Sequence, residues 1–182
     1  MRWERLFADL EARLEAEERA ATDADVVDLV RAERARLAVR DRLRAHLDES
    51  LIWSLASVDE PLPGRLLDVG SDWVLIKSRT GEMLIPIAAV HGIEGLSRMA
   101  APDSSEVARR LGIGVILRGL SRDRAVVSVR LPADQWVTGT IDRVGADHID
   151  IAVHPQDESR RGRAVLGVRC LLLPAVVGIT VH

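Results

Sequence analysis

The sequence predicts an α+β chain: an N-terminal helical hairpin, then two copies of one small all-β unit with a helix between them, in segments 1–48, 49–100 and 101–182. Three observations predict it. Residues 51–76 and 126–151 correspond without a gap at a constant offset of 75, so that Asp59 meets Asp134, Gly64 meets Gly139, Val69-Gly70 meets Val144-Gly145, Asp72 meets Asp147 and Ile76 meets Ile151. Unmatched positions stay apolar for apolar, as in Leu51/Val126, Leu66/Ile141 and Val74/Ile149, as two segments filling equivalent places require. The similarity then resumes at an offset of 86, Ala89-Val90-His91-Gly92-Ile93 against Ala175-Val176-Val177-Gly178-Ile179, which places the eleven extra residues around the polar stretch 154–163, an enlarged hairpin loop. Finally, the first sixty residues contain neither glycine nor proline, which favours helix.

Each element follows from local pattern. Trp3, Leu6, Phe7, Leu10 and Leu14 recur at spacings of three and four and form one stripe of a first helix. Thr22-Asp23-Ala24-Asp25 is a start signal for a second, expected from about Asp23 to Leu47. In the second copy, 125–131 and 136–143 read as strands, Val144-Gly145-Ala146-Asp147 as a turn, and His148-Ile149-Asp150-Ile151-Ala152-Val153 as a strictly alternating strand. That alternation places Ile149, Ile151 and Val153 inward and His148, Asp150 and Ala152 outward. Residues 165–173 and 176–181 supply two more strands, and the first copy repeats the order from Leu51 to about Leu96. Between the copies, Pro102-Asp103-Ser104-Ser105-Glu106 starts a helix expected to run to about Leu120, with Gly112 and Gly114 allowing close approach to the sheet beneath.

Composition narrows the function classes. Nearly half of the 182 residues are apolar, no run is long enough to cross a bilayer, and the charged start Met1-Arg2-Trp3-Glu4 is unlike a signal peptide, so a cytoplasmic protein is expected. The single cysteine, Cys170, sits in Val168-Arg169-Cys170-Leu171-Leu172-Leu173 and reads as a buried structural thiol. A net charge of -3 gives no global attraction to nucleic acid.

Chemistry-bearing constellations are few. Arg34, Arg40 and Arg44 belong to a basic stretch of the second helix that suits phosphate, or equally the acidic first helix. Arg160, Arg161 and Arg163 form the densest cationic loop. Trp53, Trp73 and Trp136 are candidates for stacking on bases, with Trp73 expected on the outer face in the place His148 holds in the second copy. His148, Asp150 and His154 fall at even spacings, as a zinc site uses, although a solvated outer face is the plainer reading. Asp147, His148 and Ser159 lack the strained elbow of a hydrolase triad, and there is no P-loop or Cys-x-x-Cys pair. No catalytic residue, metal site or cofactor is expected.

A helix followed by five short bent strands, occurring twice, resembles the Sm-like fold, a small SH3-like barrel. The resemblance covers roughly residues 31–96 and 104–182 and implies two five-stranded Sm-like barrels behind the helical hairpin. In that family RNA bases are held by an acidic and an asparagine residue near the second turn and by an arginine-glycine pair before the last strand; this chain contains no asparagine. Asp72 and Asp147 stand at the first place, and His91-Gly92 and Val177-Gly178 at the second, with the glycines matched and the arginines replaced. Gly81 to Val90 is similar to the final hairpin of PRC-type barrels, and the whole chain resembles actinobacterial proteins labelled as Fis-like transcriptional regulators.

The expected function is non-enzymatic binding and assembly. One reading is a regulatory factor bound to RNA or DNA through Arg34, Arg40, Arg44, Asp72, His91, Asp147, Arg160, Arg161 and Arg163. The other is a protein adaptor or structural oligomer whose partner meets Trp3, Leu6, Phe7 and Leu10. A homo-oligomer is expected under both, and a membrane under neither.

Overall fold

The computed structural model describes residues 31–32, 35–101, 111–156 and 166–182. Compact units comprise Met1–Ala38 and Val39–His182. Of the first, Arg31-Ala32 and Ala35-Arg36 are helical, and the expected helix over residues 3–14 lies outside the described residues.

The second unit holds α1 (Val39–Arg44), β1 (Ser50–Leu55), β2 (Leu62–Val69), β3 (Trp73–Ser78), β4 (Gly81–Pro86), β5 (Val90–Glu94), α2 (Ile113–Arg122), β6 (Val126–Leu131), β7 (Gln135–Val144), β8 (His148–Val153), β9 (Gly167–Leu172) and β10 (Gly178–Val181). These strands overturn the expectation of two separate five-stranded barrels. They form one open antiparallel sheet in the order β5-β1-β2-β3-β4-β10-β6-β7-β8-β9. The joint is β4 against β10, in register at Ile179 and Leu84, so backbone pairing crosses the boundary expected at residue 100. The physical reason is edge satisfaction: β4 at the border of the first half would present unpaired N–H and C=O groups, and β10 covers them.

The helical expectation is corrected as well. The second helix was to reach Leu47, but Leu37 and Ala38 are not helical and α1 is a six-residue turn of helix ending at Arg44. His46 Nδ1 engages the Arg42 carbonyl at 2.7 Å and Asp48 takes a positive φ of 66°, which turns the chain into β1. Between the halves, the helix start expected at residues 102–106 lies outside the described residues; Leu111 and Gly112 are not helical, and α2 begins at Ile113. Gly112 is its extended N-cap, and Leu111 spends its carbonyl on the Trp73 indole N–H at 2.8 Å.

Within the sheet the two halves match in detail. The bulge of β2 falls between Leu66 and Asp68 and that of β7 between Ile141 and Arg143. Gly70 N–H bonds to the Trp73 carbonyl and Gly145 N–H to the His148 carbonyl. Ile87 N–H bonds to the Asp72 carbonyl and Leu173 N–H to that of Asp147. The rings of Trp73 and His148 each lie on the glycine three residues before them, where any Cβ would collide with the ring.

Two apolar clusters fill the unit and interlock at the joint. One gathers Ile113 and Leu117 of α2 with Val127, Val129, Ile141, Ile149 and Ile151, and takes in Trp73 and Leu84 from the first half. The other is built on Trp53, Leu66, Val74, Ile76 and Ile85, and takes in Val177 from the second half. Trp73, expected on an outer face, is therefore buried beneath α2. Ala152, also expected outward, is buried too. Cys170 moves the other way: the apolar run around it suggested burial, but β9 is an edge strand whose alternation sends Leu171 to the core and leaves Cys170 exposed.

Candidate functional site

Several residues singled out above, namely Arg34, Arg160, Arg161, Arg163, Trp3, Leu6, Phe7 and Leu10, lie outside the described residues. The rest are placed. Arg40 Nε stands 3.9 Å from Asp41 Oδ1, and Arg44 Nη1 stands 3.4 Å from the same oxygen, with only 10% of the Arg44 side chain exposed. Their neighbour Arg42 donates to the Leu96 carbonyl at 3.2 Å and to the Ser97 carbonyl at 3.2 and 2.6 Å. Arg42 thus fastens α1 to the chain that follows β5, while Arg40 and Arg44 stand beside Asp41 of the same helix.

Asp72 and Asp147, equivalent in sequence, converge on one open groove of about 620 Å³ at an end of the sheet, walled by Ser71, Pro86, Leu173 and Pro174. They do different work there. Asp72 Oδ1 accepts the Ile113 N–H at 2.8 Å and holds the first turn of α2, whose N-cap glycine offers no side chain. Asp147 is 78% exposed and accepts a hydrogen bond from His148 Nδ1 at 2.8 Å. That bond, followed by the charge of His148, holds the Asp147 carboxyl below its ordinary range. No Lys or Arg lines the groove among the described residues, so it presents carboxylate rather than a seat for phosphate. His91 is elsewhere, exposed on β5 beside a separate apolar groove of about 210 Å³ that includes Leu43, Trp53 and Ile93.

The structure also assembles a cluster that sequence spacing placed only in part. Of His148, Asp150 and His154, the last turns inward: it is buried, with Nδ1 on the Pro155 carbonyl and Nε2 on Thr140 Oγ1, each at 2.8 Å. Its place is taken by Cys170, which the β8–β9 register sets directly across from Asp150. One ligand atom each from His148, Asp150 and Cys170 lies within 4.8 Å of the others. Partial desolvation, then the hydrogen bond and charge of Asp150 and the charge of Asp147, push the free Cys170 thiol above its ordinary range. The signal for this cluster was present in the repeat. Offsets of 75 and 86 align His148 with Trp73, Asp150 with Leu75 and Cys170 with Leu84, three apolar residues replaced together by three ligating ones.

Other polar groupings are structural. Ser128 Oγ meets Thr138 Oγ1 at 2.8 Å and His182 Nε2 at 2.9 Å, while Gln156 Nε2 meets His182 Nδ1 at 2.8 Å. With Gln156 donating to Nδ1, the ring proton sits on Nε2 and points at the serine, the reverse of what a general base requires. Of the tryptophans proposed for stacking, Trp53 is fully buried with its N–H on the Gly64 carbonyl, and Trp136 is 44% exposed with the Arg130 guanidinium 5.5 Å from its ring centroid.

No family model, curated protein or solved structure matches this chain. Among the described residues, no helix is long and apolar enough to cross a membrane.

Proposed function

We propose that this chain is a non-enzymatic assembly protein that associates with copies of itself through the two outermost strands of its sheet. One observation carries the reading. Inside the chain, the fourth strand of the first half pairs with the last strand of the second, β4 with β10. Their counterparts, β9 and β5, are the two outermost strands. A second copy that lays β5 against β9 repeats a joint the sequence already makes, with Ile93 and Cys170 in the places of Ile179 and Leu84. Leu173 N–H bonds to the Asp147 carbonyl, so by alternation the even residues of β9, Val168, Cys170 and Leu172, direct their backbone groups outward. Val168 and Leu172 are exposed apolar residues on that edge. Such a contact is head-to-tail and builds a ring or a filament according to whether its rotation closes. In this reading the protein works in the cytoplasm, where an exposed lone thiol stays reduced. The pairing of Arg40 and Arg44 with Asp41 and the acidic groove weigh against nucleic acid as the primary partner.

Light scattering across a concentration series, with chromatography, tests it. The wild type is expected to exceed monomer mass at high concentration. Val168→Pro removes one outward N–H and leaves the bonds to β8 in place, and it is expected to run as a monomer with an unchanged circular dichroism spectrum. A monomeric wild type at every concentration would sink the proposal.

A further inference from the structure

We infer that His148, Asp150 and Cys170 form a binding site for a divalent cation of the zinc class, with Asp147 as its positioning residue. The donor set is an imidazole nitrogen, a carboxylate oxygen and a thiolate sulfur, all of which zinc accepts, whereas calcium and magnesium take oxygen alone. Backbone register brings them together: Asp150 and Cys170 are cross-strand partners on β8 and β9, and His148 is two residues along on the same face. Zinc bonds of roughly 2.0–2.3 Å set tetrahedral ligands about 3.3–3.8 Å apart. From separations within 4.8 Å, side-chain rotation at exposed and half-buried positions closes the gap without moving the strands.

Two further observations point to a cation. Asp147 Oδ1 holds His148 Nδ1 at 2.8 Å, the carboxylate-histidine arrangement that orients a metal-bound imidazole, and it leaves Nε2 as the nitrogen open to the metal. Among the described residues no Lys or Arg lies within salt-bridge distance of Asp147 or Asp150, although Arg143 is the cross-strand neighbour of Asp150 on β7. The same three places in the first half hold Trp73, Leu75 and Leu84, which line one groove with Ile116 and Leu120 of α2. The places that are apolar beside α2 in the first half hold ligands in the second, where among the described residues no helix borders them. On binding, the Cys170 S–H bond breaks, its proton goes to solvent and the sulfur lone pair joins the metal. Three protein ligands leave the fourth position for water or an incoming donor.

Cobalt(II) is the probe, titrated into the reduced, chelator-stripped full chain. One equivalent is expected to bind, with a thiolate charge-transfer band in the near ultraviolet and tetrahedral bands in the visible, all displaced by zinc. Cys170→Ser should abolish the charge-transfer band, and His148→Ala and Asp150→Asn should each weaken binding at least tenfold. Asp147→Asn should weaken it by roughly 10–100-fold with the bands unmoved, as expected of a group that orients a ligand without touching the metal. Absence of the band in the wild type overturns the site. So does a band whose affinity neither His148→Ala nor Asp150→Asn changes, since that is a lone thiolate capturing metal. All ligands belong to one chain, so repeating the titration across the light-scattering concentrations separates this result from that of assembly.

Discussion

Asp72 and Asp147 hold the same turn in the two halves of the sheet, yet Asp72 grips the Ile113 N–H of a helix while Asp147 grips the ring of its own neighbour, His148, both at 2.8 Å. Asp72→Ala should therefore behave as the loss of a helix cap, costing about 1 kcal/mol within a usual range of roughly 0.5–2. Asp147→Ala is expected to leave the urea midpoint of the metal-free chain unchanged. Equal losses in the two variants would contradict the division of labour described here.

A second matched pair tests packing. A Cβ at Gly139 would collide with the Ala152 carbonyl of the facing strand, which cannot move without parting β7 from β8, whereas a Cβ at Gly64 meets chiefly the terminal Cδ1 of the Ile76 side chain at 2.8 Å. Gly139→Ala should cost about 1–3 kcal/mol, as overpacking does, and Gly64→Ala distinctly less. Thermal melts of both variants decide it.

Thr140→Val keeps the shape of a buried residue and removes the hydroxyl that His154 Nε2 meets at 2.8 Å. Nδ1 is already committed to the Pro155 carbonyl, so Nε2 is left without a partner in an apolar setting. A loss of about 1–3 kcal/mol in denaturant unfolding is expected. A neutral result would mean that water reaches the ring.

The arginines of α1 offer a test of the nucleic-acid reading. Arg42→Gln should lower the melting temperature, because it removes bonds to the Leu96 and Ser97 carbonyls, and leave any affinity for single-stranded RNA or DNA unchanged. If fluorescence anisotropy detects binding at physiological salt, replacing Arg160, Arg161 and Arg163 by alanine is expected to abolish it. Loss of binding in Arg42→Gln with an unchanged melt would return the helix to a phosphate-contacting role.

Side-chain pattern made the strands legible and left their assembly hidden. The repeat located the turns at Gly70 and Gly145 because each requires a glycine beneath a ring, and alternation placed Ile149 and Ile151 inward. The joint of β4 with β10 left no comparable trace, since it is made by backbone groups that every residue carries. Cys170 was misjudged because a run of apolar neighbours looks the same in a central strand and at an edge. Its meeting with Asp150 depended on a hairpin register that a long polar loop does not reveal. Comparing the copies position by position, Trp73 with His148, Leu75 with Asp150 and Leu84 with Cys170, was the route by which the cluster could be found.

The order of strands has a consequence for the making of the protein. β10 is the last strand in sequence and the sixth of ten across the sheet. Until residues 178–181 leave the ribosome, β4 and β6 stand as two naked borders, each backed by a finished half and each able to recruit a stranger. Synthesis of this chain is a race in which its middle is sewn last, and a pause late in translation would be more hazardous than one at its start.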